Sequence, residues 1–237
     1  DGIRDADVTG VQTCALPILR YAEFHNVRNG KIVRSSFFCD IIGVMHQAGI
    51  NPLPMQTGAS VIVPGPKTHD GIQIASQPES ESQKTMAVLN QMIADLDELN
   101  HSGDDRYPPE VLERSWHSDM SWYGPAGIGS TYTIRRYQEQ HSYPFREALK
   151  DKVYNGHICR YADGDYACFF GWPNLTHTPT GGFLGLPGND CRVDMRVVDV
   201  YRREDDKLAE NWVIIDLPWW LKQQGIDILE RCKNIIS

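Results

Sequence analysis

The side chains able to move a proton at useful spacing are His117 and Asp119 in WHSDMSWYGP, and Asp199 in VVDVYRRE. In an extended strand His117 and Asp119 point to the same face, so an imidazole and a carboxylate can reach one site. Histidine exchanges its proton nearest neutral pH. A hydrogen-bonded histidine at a wet strand end is the plainer alternative. His-x-Asp is also half of a metal pair, but no third ligand stands at helix or hairpin spacing, and no metal is expected. Val197, Asp199 and Tyr201 share one strand face, and Asn211, Val213 and Ile215 share another. If that face lines a pocket, desolvation among such apolar and aromatic neighbours raises the carboxylate's pKa toward that of a working acid or base. The alternative is an ion pair of Asp199 with Arg196 or Arg202. Asn211 can hydrogen-bond a carbonyl but cannot act as a base. Trp122 and Tyr123 read as pocket lining or as packing on a helix beneath. His157 and His177 fall at a strand start and in a loop, where either could rim a pocket.

Other motifs give no support to competing chemistry. GPAGIG lacks the spacing and preceding strand of a dinucleotide fingerprint, GGFLGLPG has no Lys-Ser/Thr for a phosphate loop, and neither GxSxG nor HExxH occurs. The 237 residues carry a formal charge of −8, which argues against nucleic acid as a partner. Hydrophobic residues make up 41%, enough for a buried core, yet no apolar run is long enough for a membrane span. Cys39, Cys159, Cys168, Cys191 and Cys232 are scattered without a CxxC pair, which favours reduced thiols and a cytoplasmic setting.

These residues need elements to hold them. Asp1–Ile18 (DGIRDADVTGVQTCALPI) has neither apolar period nor signal-peptide character, and resembles translated sequencing-adapter read-through of a metagenomic fragment; a disordered native N-terminus is the alternative. Residues 59–81 mix Pro, Gly, Ser and charge and read as a linker. Ser80 with Gln83 forms a capping box for a helix whose apolar face is Met86, Leu89, Ile93 and Leu96, ending near Asn100. A short turn of helix at 110–114 precedes the WHSDMSWYGP strand, and GIGSTYTIRRYQEQHSYPFREAL reads as a helix interrupted before Pro144. The period then changes to two. Strands are expected at 153–162 and 165–172 about an Asp163-Gly164 turn, and at 191–203 and 207–216. A last helix, Pro218–Gln224, stops at Gly225, with Asp216 as its N-cap. Helices first, then antiparallel strands and a terminal helix, is an α+β order: a curved sheet packed on helices, a cone with one open mouth.

A repeat lies within the chain. Sliding residues 21–50 by 176 positions aligns Lys31 with Lys207, Asp40 with Asp216, Gln47 with Gln223, Gly49 with Gly225 and Ile50 with Ile226 without a gap. The expected organisation is a C-terminal remnant of a first domain at 19–58 (hairpin plus helix), the linker, and a complete domain at 82–237. Shared hairpin grammar is the alternative.

The segment VDVYRREDDKLAENWVIIDLPWWLKQQGIDIL resembles the C-terminal signature of SnoaL-like polyketide cyclases, and WHSDMSWYGPAGIGS resembles the family's strand-into-helix element. The resemblance covers roughly residues 82–234. It implies a cystatin-like, nuclear transport factor 2-like cone with homodimeric or pseudo-dimeric packing, no metal and no organic cofactor. It also makes the faces bearing Asp199 and Asn211 pocket faces. In the family's cyclases acid/base residues close a ring by an aldol step. Here the family's inward histidine on the penultimate strand is matched by Asp199, and its aspartate on the final strand by Val213, which transfers no proton.

The sequence thus favours a cofactor-independent enzyme for a small hydrophobic carbonyl or hydroxyl compound, of cyclase, isomerase, dehydratase or hydrolase type. Asp199, His117 and Asp119 are its expected catalytic residues. Asn211, Tyr123, Trp122, Tyr201 and Val213 are expected to hold the substrate. The alternative is a binding or dimerisation module without chemistry.

Overall fold

A computed structural model describes residues 17–61 and 63–236. The adapter-like stretch lies outside the described residues except for Pro17 and Ile18, and Ile18 exchanges two backbone hydrogen bonds with the Gln47 side chain.

The chain opens with a hairpin, β1 (Tyr21–Arg28) and β2 (Lys31–Cys39), followed by α1 (Ile41–Gln47). Residues 51–61 and 63–78 then run without regular structure, apart from one bridge between Ala59 and Ser130. This stretch is pinned: Trp212 Nε1 donates to the Pro64 carbonyl at 2.9 Å, and the Lys67 amide donates to the buried Glu210 carboxylate. The long helix α2 spans Glu79–Ser102. Its N-cap is Pro78, not a Ser80 capping box, so the irregular stretch ends three residues earlier than expected. Proline suits that place because its extended backbone delivers the chain into the helix, and Glu79 and Glu81 in the first turn complement the helix dipole. Leu89 is fully buried and Met86, Ile93 and Leu96 pack on the core, as their spacing requires.

After α3 (Pro109–Leu112) come β3 (Trp116–Tyr123) and β4 (Ser130–Tyr132). The next helical stretch is continuous. It runs as α4 (Thr133–Tyr137), a π-helical turn over Gln138–Ser142, and α5 (Tyr143–Ala148). The expected interruption before Pro144 is replaced by this wider turn, which accommodates a proline at the start of α5, where its missing N–H costs little.

The strands that follow are β5 (Leu149–Tyr154), β6 (Cys159–Asp163), β7 (Tyr166–Phe170), β8 (Leu175–Pro179), β9 (Val193–Met195), β10 (Val197–Glu204) and β11 (Lys207–Ile215). The expected strand at 153–162 is therefore two strands in different sheets. β5 pairs with β8 in the three-stranded sheet β5-β8-β9, and β6 pairs with β7 in the six-stranded sheet β4-β3-β11-β10-β7-β6. The β6–β7 turn is Gly164-Asp165, one residue later than expected. Its position is fixed by α2: Ser82 Oγ accepts from the Gly164 amide, Thr85 donates to the Gly164 carbonyl at 2.6 Å, and φ of +58° there suits glycine. Likewise 191–203 divides at Arg196, where the chain passes from the small sheet to the large one. Most large-sheet pairings are antiparallel, but β11 and β3 run parallel. α6 (Leu217–Gln223) and α7 (Ile228–Ile236) finish the described chain. No helix among the described residues is long and apolar enough to cross a membrane.

Asp216 caps α6 by accepting from the Trp219 amide. Asp216→Ala is expected to cost about 1 kcal/mol of stability, read as a shift in the urea midpoint without a change of slope.

Offset by 176 positions, β1–β2–α1 and β10–β11–α6 are built alike. Their ladders slip at matching points, between Asn26 and Val27 and between Arg202 and Arg203. Asp40 and Asp216 each cap a helix and each face an arginine, Arg20 and Arg196. Gly49 and Gly225 follow with φ of +78° and +80°. The hairpin lies on the back of the large sheet, where Phe38 packs in a cluster with Phe170, Val198 and Ile214. Its opposite face, with Tyr21 and Phe37, is exposed.

Candidate functional site

The large sheet's inner face is read most simply in rows. Cross-strand partners share a face, so Arg160, Phe169, Asp199 and Val213 form one row across β6, β7, β10 and β11. The next row holds Ala167, Tyr201, Asn211 and Trp122. α2 and the π-helical turn close over these rows, leaving a cavity of about 760 Å³. That volume lies within the range of small-molecule sites. Asp199, Asn211, Tyr201, Val213 and Trp122 all line it.

His117, Asp119 and Tyr123 do not line it. The inward parity of β3 belongs to Trp116, Met120 and Trp122, which are buried, so the odd-numbered residues face outward. His117 Nε2 hydrogen-bonds the Glu204 carbonyl at 3.0 Å, Asp119 is exposed, and Tyr123 stacks on Trp212 on the outer face. The expected convergence of His117 and Asp119 with Asp199 is therefore absent from this arrangement.

Asp199 is the one carboxylate on the inward rows. Burial pushes its pKa up to about 7, against the opposing effect of hydrogen bonds from Asn211 and Tyr201. The Asn211 amide nitrogen donates to Asp199 Oδ1 at 3.3 Å and to the Val200 carbonyl at 3.0 Å, which fixes the amide's orientation. Neither arginine considered at the sequence level pairs with Asp199. Arg202 binds Glu210 and Glu204 on the outer face, and Arg196 binds Asp216. Burial also raises the Tyr137 and Tyr201 phenols well above their ordinary value, so both remain protonated donors.

Sequence reasoning missed His141. It sits in the π-helical turn, stacks on Trp122 with ring centroids 4.2 Å apart, and lines the same cavity as Asp199. Tyr137 and Phe145 pack against its ring. Burial drops its pKa to about 3, and its Nδ1 is buried without a hydrogen-bond partner. It is therefore a neutral imidazole in an aromatic box. His157 rims the cavity, stacked on Phe169 at 3.8 Å, with its pKa lowered to about 4 by burial and by Arg160. His177 is buried in β8 away from the cavity, accepting from Trp220 Nε1 at 2.9 Å. A helical phase reading carried unbroken through Gln138–Ser142 could not have placed His141. The clue in the sequence was the aromatic and histidine density of RRYQEQHSYPF.

Comparison with known proteins agrees with this architecture. Residues 158–224 match the family model of SnoaL-like polyketide cyclases. The chain is similar in structure to a protein described as a SnoaL-like polyketide cyclase from Jannaschia sp. CCS1. That likeness has a TM-score of 0.52 at 14% identity, over 65% of this chain and 98% of the other. Similarity to a nuclear transport factor 2-like protein of Burkholderia xenovorans LB400 covers 60% of this chain and 96% of the other, at 11% identity and a TM-score of 0.45. No curated protein matches the sequence significantly. The matched segment contains every residue of the two cavity rows except Trp122 of β3. Residues 158–224 are thus similar to SnoaL-like polyketide cyclases, and the α+β architecture is the fold of the Jannaschia protein.

Proposed function

We propose that the cavity is the active site of a cofactor-independent enzyme acting on a small hydrophobic carbonyl compound, with Asp199 as the group that takes and returns a proton. The observation that carries this reading is a buried carboxylate, its pKa raised to about 7, on the floor of a mainly apolar cavity that Arg146, Arg160 and Asp97 also line. Asn211 holds the carboxylate and Tyr201 lies beside it on the strand, so protonated phenol and amide groups surround the place where charge develops. His141 contributes a neutral aromatic wall, stacked on Trp122. The reaction class is proton transfer at carbon next to a carbonyl, the step common to aldol closure and isomerisation. A direct test follows deuterium uptake at the α-carbon of 2-tetralone in D2O by NMR. The protein is expected to accelerate uptake. Binding of 2-tetralone without acceleration would favour the non-catalytic binding module, the reading to which Val213 points.

We also infer that β1–β2–α1 is the terminal part of a first copy of the same domain, placed against the second copy as a pseudo-dimer partner. Matching ladder slips, caps and arginine pairs support it. In the second copy, residues 79–195 cover the face that the hairpin leaves open. Appending a copy of 79–195 ahead of Arg20 is expected to slow hydrogen exchange in Tyr21–Cys39. Unchanged exchange there would count against the duplication.

A further inference from the structure

The geometry points to an anion-binding subsite at the cavity rim, built on Arg160, so that the ligand is an elongated apolar molecule with a carboxylate-like group at one end. This deepens the cavity reading above and rests on it. Arg160 stands in the same row as Asp199, with Phe169 of β7 between them. Two strand spacings separate their backbones by about 10 Å, so one ligand can lie along the His157–Phe169 stack and meet both. The guanidinium is held in place from three sides. Nη1 donates to Asn90 Oδ1 on α2 at 2.8 Å, Nη2 reaches the Tyr154 hydroxyl at 3.5 Å, and Nε and Nη2 lie 3.3 and 3.0 Å from His157 Nδ1. Every one of these partners is neutral. The nearest acid on the facing rim, Asp97, is mostly exposed and turned to His101.

The buried Arg146 is likewise held by neutral acceptors, Asn100 Oδ1 and the Leu99 and Asp104 carbonyls, whereas Arg202 and Arg203 bind carboxylates directly. Arg160 is fixed by neutral acceptors, so its charge is oriented without being cancelled. The stack of His157 on Phe169 beneath it makes a flat apolar shelf leading inward from the cation. A planar guanidinium above an aromatic shelf suits a planar carboxylate joined to an aromatic or unsaturated body. An ester or amide of the same acid would lose the charge-assisted hydrogen bonds.

The test uses two fluorescent probes with the same aromatic frame, 8-anilinonaphthalene-1-sulfonate and the uncharged N-phenyl-1-naphthylamine, titrated into the full chain and into Arg160→Met and Arg160→Lys. Arg160→Met is expected to weaken sulfonate binding about tenfold and to leave the neutral probe unchanged, while Arg160→Lys retains part of the preference. Equal loss for both probes, or no loss for either, would overturn the subsite. If neither probe binds the unmodified chain, the cavity reading and the subsite fall together. A retained sulfonate preference without deuterium uptake by 2-tetralone would remove the acid/base role and leave the subsite standing.

Discussion

Asp199→Asn is expected to lower α-proton exchange by roughly 10²–10⁴-fold while the cavity still binds its ligand. The replacement keeps shape and hydrogen-bonding capacity but removes the only base on the cavity floor. The pH profile supplies an independent check. Asp199 works as a base in its ionised form, and its pKa is raised from 3.8 to about 7. Exchange should therefore rise with pH through about 7 and level off above it. A plateau already reached at pH 5 would mean that another group does the chemistry. The stability of the same variant should move the opposite way. The raised pKa means that the fold prefers the protonated carboxyl, so stability is lost as pH rises from the unfolded value of 3.8 toward 7. The loss approaches roughly 4 kcal/mol. Asparagine escapes it. The variant's advantage in stability is thus expected to grow between pH 4 and pH 8, an activity loss coupled to a stability gain.

His141 carries the second large effect, at the acid end. Its folded pKa is depressed from 6.5 to about 3 by burial, so the fold accepts only the neutral ring. The stability associated with that neutral ring is fully present above pH 6.5 and is lost as pH falls from there toward 3. The loss reaches about 3 kcal/mol by pH 4. His141→Phe retains an aromatic ring against Trp122 and removes the titration. The difference in unfolding free energy between variant and parent should be constant above pH 7 and grow in the variant's favour below pH 6. A difference independent of pH would show that the imidazole is not held neutral. His157 and His177 have lowered pKa values too and contribute to acid unfolding in both proteins, so only the difference reports on His141.

Much of this site was legible as strand parity. A period of two sets Asp199 with Tyr201 and Asn211 with Val213, the family resemblance makes both faces pocket faces, and the β10–β11 slip at Arg202/Arg203 lies beyond these pairs. The same parity applied to β3 also sets Trp116, Met120 and Trp122 against His117 and Asp119. What parity cannot supply is its sign. The apolar side of β3 faces the cavity, and choosing the side with acid/base residues put His117 and Asp119 on the wrong face. Parity alone does not give Arg160 its row: a turn at Asp163-Gly164 sets it opposite Ala167, whereas the observed turn sets it opposite Phe169, one row along the same inner face and level with Asp199. That register is decided by Ser82 and Thr85 of a distant helix, which no local pattern contains. The missed β8 has the same origin, because its partners β5 and β9 come from either side in the sequence.

The π-helical turn at Gln138–Ser142 carries a consequence for how such a site can change over evolutionary time. It holds one residue more than an α-helical turn, and each residue rotates the helix by about 100°. Deleting one residue there would restore a regular helix and swing His141 out of its stack with Trp122, although no cavity residue had been substituted. Relatives that differ by one residue in this turn would present a different side chain to the same cavity. At this wall of the cone, chain length decides which group meets the ligand, so substrate range can shift by insertion or deletion as readily as by substitution.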